Sequence, residues 1–337
     1  ALSSAASDVY KRQIVYSEKE IGVMLPVTAS ESYLKAISNY KYGWFLSDLF
    51  VLPFIIDKKL FFKKMVFTHE TIKILSVSEN KKNSYERDFL YEVVRLCKTL
   101  KIDFIGQPKS GVVFQTYPEK SIHAPFGSYQ VDLTKTEDEL FAGLHVKNRN
   151  VIRKAIKEGV IIKEGSEYLN VCADLIKLTM VRQGIKFYVN LEDLQRMQAH
   201  LRDEIKFYIA YKDDIAQGCA VIVYRKGDAA YYLHGGSIEH PFNGSVNLIQ
   251  WQAIVDMKNC GVLIYDFVGA RISPVAGSKQ ETIQRFKSRF GSQMVEGYLW
   301  KCPIRPFRYK LYYLFVRLLA YLRKQPYKGD IIDQELS

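Results

Sequence analysis

"IKFYIAYKDDIAQGCAVIVYRKGDAAYYLHGGS", Ile205–Ser237, decides the fold. Three runs rich in β-branched and aromatic residues are separated only by the polar connections "KDD" and "KGD". Connections this short leave no room for a crossover, so consecutive runs must pair as antiparallel hairpins. Upstream lie a strand-like "VIIKEG" and two helical patterns, "SEYLNVCADLIKLTMVRQGI" and "NLEDLQRMQAHLRDE", the second with Asn190 as N-cap. Downstream follow helix "GSVNLIQWQAIVDMKNC" closed by Gly261, strand "VLIYDFVG", helix "SKQETIQRFKSRFG" closed by Gly291, and strand "QMVEGYLW". The order is β-α-α-β-β-β-α-β-α-β. An antiparallel meander that passes into a β-α-β crossover is a mixed α/β fold around a mostly antiparallel sheet.

The remainder of the chain extends this picture. Its 337 residues suffice for one large or two medium domains, and 48% hydrophobic content supports a real core. From Ile14 to Ile74 the runs "IGVMLPV", "WFLSDLFVLPFII" and "KKMVFTHETIKIL" read as strands. "NSYERDFLYEVVRLCKTLKI" reads as an amphipathic helix, with Phe89, Val93, Leu96 and Leu100 on one face. "DFIGQ", "VVFQTYP" and "GSYQVDL" read as further strands. Strands, helix, strand and strands repeat the tail of the second half's order, so the expectation is two related domains, the first diverged or truncated. The boundaries fall at 14–135 and 136–302, followed by a basic segment, 303–337. The opening "ALSSAASDVYKRQ", residues 1–13, resembles translated sequencing-adapter read-through and is set aside.

Charge narrows the partners. A formal net charge of +12 and a pI of about 9.2 favour anionic ligands: nucleic acid, phosphorylated metabolites or an anionic membrane surface. Five scattered cysteines without C-x-x-C spacing read as reduced thiols, which points to the cytoplasm. No stretch of about 18 uncharged apolar residues suggests a membrane span, and none reads as a cleavable signal. The basic charge peaks in "LHVKNRNVIRKAIKEGVIIKEG", Leu144–Gly165. On a helical wheel Arg149, Asn150, Arg153, Lys154 and Lys157 fall on one side, with Lys147 at its edge. Val151, Ile152, Ala155 and Ile156 fall on the other. A T-x-x-E capping box at Thr136 and Glu139 opens this helix, or pair of helices, and Gly159 closes it. Such a ridge either is a solvated face or meets a polyanion.

Five strings, "RNVIRKAIKEGV", "LTMVRQGI", "YYLHGGS", "GVLIYDFVG" and "ETIQRFKSRFG", occur in this order on the matching elements. Together they resemble the FemAB/FemX family, whose members carry two GNAT-like acyltransferase domains in one chain. The family's BioF-like acetyltransferase relatives share the second domain. The resemblance covers the second half well and the first half in outline. It implies transfer of an aminoacyl or acyl group to an amine of a peptidoglycan or other cell-envelope glycan precursor, with no permanently bound cofactor. The anionic acceptor would be nucleotide- or lipid-linked. Two donors stay open. The basic balance, and the lack of an R/Q-x-x-G-x-G/A phosphate loop, favour aminoacyl-tRNA. Closeness to the BioF-like relatives favours acyl-CoA and an N-acetyltransferase of polysaccharide biosynthesis. A non-catalytic module that holds RNA or an anionic glycan is the alternative class. The chain also has no room for the helical hairpin that some FemA-type members insert.

The resemblance gives residues roles. Lys287, in "RFKSRFG", would counter charge developing on the reacting ester, and Phe286 would help form the acceptor site. Plain surface and core positions are the alternatives. Arg182 would grip an acceptor diphosphate with its planar fork, or else cap carbonyls near Gly184; Tyr188 would stack on or donate to the same ligand. Arg149, Arg153 and Lys157 would face phosphates. Read from the residues alone, His234 at a strand end is a general-base candidate or a structural histidine, followed by two glycines that permit close backbone approach. Asp266, in a buried strand, needs a hydrogen-bonding reason, structural or catalytic. Neither a hydrolase, zinc-protease nor Walker motif occurs, and the six histidines are dispersed, so no metal is expected. Finally, "RPFRYKLYYLFVRLLAYLRK", Arg305–Lys324, carries Arg305, Arg308, Lys310, Arg317, Arg323 and Lys324 and no acid. It fits an interfacial helix drawn to anionic lipid, which would place the protein at the inner membrane face, or a helix packed on the second domain's sheet.

Overall fold

A computed structural model describes residues 13–75, 79–109, 111–185, 188–322, 324 and 327–336, with side chains 79–82 excepted. Residues 1–12 of the adapter-like stretch and Arg323 lie outside this set. The chain divides into two compact units. The first comprises residues through Gly127 together with Glu296 onward, and the second is Ser128–Val295. Set beside the boundaries expected from sequence, the C-terminal segment 303–337 counts with the first unit.

In the first unit β1 (Gln13–Val15), α1 (Glu31–Ile37), β2 (Lys41–Leu46), β3 (Phe50–Lys59), β4 (Phe62–Phe67), β5 (Ile72–Lys73), α2 (Glu79–Thr99) and β6 (Phe104–Ile105) lead into β7 (Ile122–Asp132). Strands β2, β3 and β4 form an antiparallel meander; α2 then crosses over, and β6 lies parallel to β4. Phe89, Leu90, Val93 and Cys97 of α2 bury against Phe50, Phe54 and Phe67 of the sheet. Two expected strands fail. "IGVMLPV" is coil and a single 3-10 turn: Pro26 has no N–H to give a ladder, and Ser30 instead accepts from Tyr33 N to start α1. Trp44 Nε1 then ties this loop down by donating to Ala29 O at 2.8 Å. "VVFQTYP" contributes only an isolated bridge, Phe114 to Tyr298.

The second unit runs α3 (Glu137–Gly143), α4 (Val146–Lys157), β8 (Ile161–Glu164), α5 (Leu169–Arg182), α6 (Leu191–Leu201), β9 (Ile205–Lys212), β10 (Ile215–Tyr224), β11 (Ala229–Ser237), α7 (Ser245–Asn259), β12 (Ile264–Asp266), α8 (Lys279–Ser288) and the start of β13 (Gln293–Pro303). The β-α-α-β-β-β-α-β-α-β order is the one expected. Thr136 and Asn190 cap α3 and α6 through complete capping boxes, and Gly159, Gly261 and Gly291 sit at positive φ. The meander β9-β10-β11 is antiparallel, α7 crosses over, and β12 lies parallel to β11. The two units thus repeat one topology: a three-stranded meander, a crossover helix and a parallel strand. Each is completed by an antiparallel neighbour, β13 on β6 and β7 on β12. Ile152 and Ala155 of α4, Ile249, Ile254 and Met257 of α7, and Tyr265 and Phe267 fill the second core.

After β13 the chain ends with α9 (Pro306–Leu322) and α10 (Ile331–Glu335), both in the first unit. Tyr309, Tyr312 and Tyr313 of α9 pack on Phe104, and Tyr312 also meets Phe62. Arg308 pairs with buried Asp103 (2.5 Å), and Arg305 lies 3.5 Å from the same carboxylate. The helix therefore seats on the first unit rather than on the second domain's sheet. Among the described residues no helix is long and apolar enough to cross a membrane.

Candidate functional site

The site grows from the place where β11 parts from β12. Their pairing covers only Ala229–Tyr231 against Ile264–Asp266, while β11 continues to Ser237. A bulge at Leu233, between the pairs Ile222–Tyr232 and Val221–His234, turns the strand at this point. β12 ends at Asp266, its last residue in the ladder, which still pairs with Tyr231 and Gln130. Asp266 is 1% exposed and takes hydrogen bonds from Ser128 Oγ, from Gln130 Nε2 (2.8 Å) and from Val268 N (2.7 Å). A carboxylate closing a bond to the amide two residues on makes a tight local turn. That turn holds Val268 at φ +44°, a region costly for a β-branched residue, with Gly269 at φ +68° after it.

This turn aims two carbonyls at one side chain. Lys287, on α8, donates to Val268 O and to Gly269 O (2.6 Å). It is 8% exposed, so it is not a surface lysine. Burial pulls its pKa down from 10.5 to about 8, a drop that the nearby Asp266 charge opposes. The two carbonyls use two of its three N–H groups; among the described residues no further acceptor takes the third. Lys287 O in turn accepts from Ser292 Oγ at 2.9 Å, which closes the end of α8. Phe286 is half-buried and stacks edge-on against Phe290 (5.1 Å between centroids), which contacts Phe267. A buried ammonium bonded only to neutral carbonyls can turn a donor toward an oxygen that becomes negative during acyl transfer.

The far end of β11 holds the other expected residues. Arg182 reaches Ser237, with Nη1 3.3 Å from its carbonyl and Nη2 3.5 Å from its hydroxyl, rather than the carbonyls near Gly184. Thr179, one turn earlier, both donates to Ser237 O (3.1 Å) and accepts from Ser237 N (2.8 Å). The T-x-x-R spacing therefore puts both side chains on one strand end. His234 lies half-buried on the same strand, opposite Val221. The two glycines after it are occupied by protein: a Cβ at Gly236 would meet the α5 backbone at Leu175 (2.4 Å), and one at Gly235 would meet the Tyr232 hydroxyl. Tyr188 is half-buried in the coil between α5 and α6. Ser128, Gln130 and Thr179 had no part in the sequence reading of the site; only Thr179 lay inside a recognised string.

The basic ridge divides in two. Arg149 donates from Nη1 to Ala142 O and Leu144 O, both at 2.6 Å, and so caps the end of α3. Arg153 lies over the Phe141 ring at 5.1 Å, and Lys147, Lys154 and Lys157 are exposed. Asn148, buried between them, donates to Arg289 O (3.2 Å) and receives Asn247 Nδ2 (3.3 Å), which locks α4 onto α7. Val151 O would lie 2.3 Å from a Cβ at Gly244, so α4 covers the buried start of α7. All five cysteines are unpaired. Among the described residues no group of three or more His, Cys, Asp or Glu could hold a metal ion.

With this geometry in hand, the chain can be set beside known proteins. No protein-family model and no curated protein sequence matches it. Among solved structures it is similar to FemX, at 14% identity and a TM-score of 0.63, over 85% of this chain and 94% of that one. The fold is FemX-like. It is also similar to a C-terminal domain assigned to a lysylphosphatidylglycerol synthetase of Agrobacterium fabrum (11% identity, TM-score 0.52, 84% and 90% covered). A conserved protein of unknown function from Bacteroides thetaiotaomicron VPI-5482 matches at 9% identity and TM-score 0.52, over 81% and 89%. At these identities the likeness is one of fold.

Proposed function

We propose that this protein is an acyltransferase that moves an aminoacyl group onto an amine of an anionic cell-envelope precursor. The observation that carries the reading is the buried Lys287 ammonium, held by two backbone carbonyls where β11 leaves β12. In this role the amine attacks the acyl carbonyl, the new C–N bond forms as the ester C–O bond breaks, the amine's proton passes to the departing oxygen, and the lysine donates to the oxygen that gains charge. Arg182, anchored at the end of β11, would hold an acceptor phosphate. The FemX-like fold, together with the sequence strings at Lys287 and Arg182, supports this assignment.

Of the two donors the structure favours aminoacyl-tRNA. The N-terminus of the helix that follows the meander is a natural phosphate site. In this chain that helix is α7, and both Gly244 and Ser245 at its start are buried, with the α4 backbone against Gly244. A CoA pyrophosphate would have to displace α4. The exposed Lys147, Lys154 and Lys157 on the outer side of α4 offer instead a surface for a nucleic-acid backbone. Filter binding of charged tRNA, run beside thermal melting with acetyl-CoA, separates the two. Salt-sensitive retention of charged tRNA without a melting shift from acetyl-CoA is expected. Stabilisation by acetyl-CoA with no tRNA retention would make the protein an N-acetyltransferase. Absence of turnover with every donor and acceptor pair would leave the binding-module reading.

A further inference from the structure

We infer that the outer face of α9, with the groove beside it, is a docking surface for an anionic phospholipid bilayer. The tyrosines at 309, 312 and 313 turn inward onto Phe104, and the opposite side of the helix is left open. Phe307 (77% exposed), Leu314, Leu318 (50%), Tyr321 (78%) and Leu322 follow one another at spacings of seven, four, three and one. On a 100° wheel these positions fall within about a third of a turn, a continuous apolar stripe. No residue of the helix is buried. Lys310 and Arg317 flank the stripe on one side, and Lys310, Arg317 and Lys328 also line a cavity of about 740 Å³ with Tyr313, Leu314 and Tyr327. Asp333, which borders the same cavity, is already paired with Lys301 at 2.5 Å.

Charge selects the occupant. From Arg305 to Gly329 the sequence contains no acid. A second copy of this face would set Lys310 and Arg317 against their own duplicates with nothing to neutralise them. An anionic bilayer supplies both an acyl layer for the stripe and phosphates for the flank, and each basic residue near such a surface adds to the attraction. Because no described helix can span the membrane, α9 would lie in the interface, fixed to the first unit by Arg308 on Asp103. This inference concerns the first unit alone and does not depend on the acyl-transfer reading.

The test is co-sedimentation of the full chain with vesicles of phosphatidylcholine, pure or containing phosphatidylglycerol, at low and high salt. Binding is expected only to the anionic vesicles and should weaken with salt. Leu318→Glu with Leu322→Glu, and separately Lys310→Glu with Arg317→Glu, should each weaken binding at least about tenfold while the melting temperature stays unchanged. Failure of the parent to sediment would overturn the proposal, as would equal sedimentation of the variants. Inorganic phosphate competing as well as vesicles would reduce the site to a free-phosphate pocket. A concentration-dependent dimer abolished by the first pair of substitutions would make the stripe a self-association face.

Discussion

Two lysines, one in each unit, are buried in opposite ways. Lys301 of the first unit is 0% exposed and lies 2.8 Å from Asp330 and 2.5 Å from Asp333. Burial alone would lower its pKa, yet the two carboxylates win and hold it above the ordinary value. Tyr313 adds a ring face at 5.5 Å, and the triad clips the final helix to the sheet. Lys287 of the second unit is buried almost as deeply, but its partners are neutral carbonyls and its pKa falls to about 8. Keeping it charged at neutral pH costs on the order of 3 kcal/mol. The structural lysine is neutralised by its carboxylates; Lys287, bonded to carbonyls alone, is the candidate for the proposed transfer chemistry.

The largest effect should come from cutting the neutralised lysine. Lys301→Met leaves two carboxylates facing a buried methyl group. Loss of one member of a buried pair costs about 3–5 kcal/mol, and the partial exposure of Asp330 and Asp333 reduces this to about 2 kcal/mol. Urea unfolding monitored by circular dichroism should show it as a lower midpoint at constant slope. Transfer activity per folded molecule should not change. If stability were unmoved, the triad would be an ornament of the surface and the contrast between the lysines would collapse.

Lys287→Met should do the reverse. It removes the cost of a buried charge while stripping two carbonyls of a donor, terms that oppose each other, so the melting temperature should stay within a few degrees. Turnover should fall at least about tenfold, equivalent to about 1.4 kcal/mol in barrier, with charged-tRNA retention intact. pH sharpens the point. A depressed lysine pKa penalises the folded state fully below about pH 8, and that penalty is relieved as pH climbs toward the free-lysine value, so this group makes stability rise with pH there. Activity should move the other way, falling above about pH 8 as the ammonium is lost. A flat alkaline limb in the parent protein would remove Lys287 from the proposed chemistry.

Why one lysine could be read in advance and the other could not is a matter of range. Lys287 stood in a string of local pattern, "RFKSRFG", on a helix whose cap and closing glycine are both written within fourteen residues. The meander around it was equally legible, because "KDD" and "KGD" permit only hairpins. Lys301 depends on Asp330 and Asp333, beyond a whole intervening helix, and nothing local marks the pairing. The sequence shows that Asp266 needs a partner, but Ser128 and Gln130 arrive from a strand at the far end of the unit's sequence. The failed strand "IGVMLPV" shows the limit from the other side: its composition suits a sheet, and Pro26 with the Ser30 cap overrules it.

The smallest effect divides the basic ridge. The sequence treats Arg149, Arg153 and Lys157 as one cationic face, whereas the structure gives Arg149 two carbonyls at 2.6 Å on the end of α3. Charge-assisted bonds that satisfy otherwise bare helix carbonyls contribute about 1 kcal/mol in a half-exposed setting. Arg149→Ala should therefore lower stability by about 1 kcal/mol, and Lys154→Ala or Lys157→Ala by no more than about 0.5 kcal/mol. Retention of charged tRNA should show the opposite ranking. Each exposed lysine removed should flatten the salt dependence of binding by about one counter-ion, and Arg149→Ala should leave the slope where it was. Measuring both quantities on the same three variants makes the ranking falsifiable. Should Arg149→Ala change the salt slope while the lysine variants do not, the polyanion would sit over the α3–α4 junction, and the exposed lysines would be a solvated face after all.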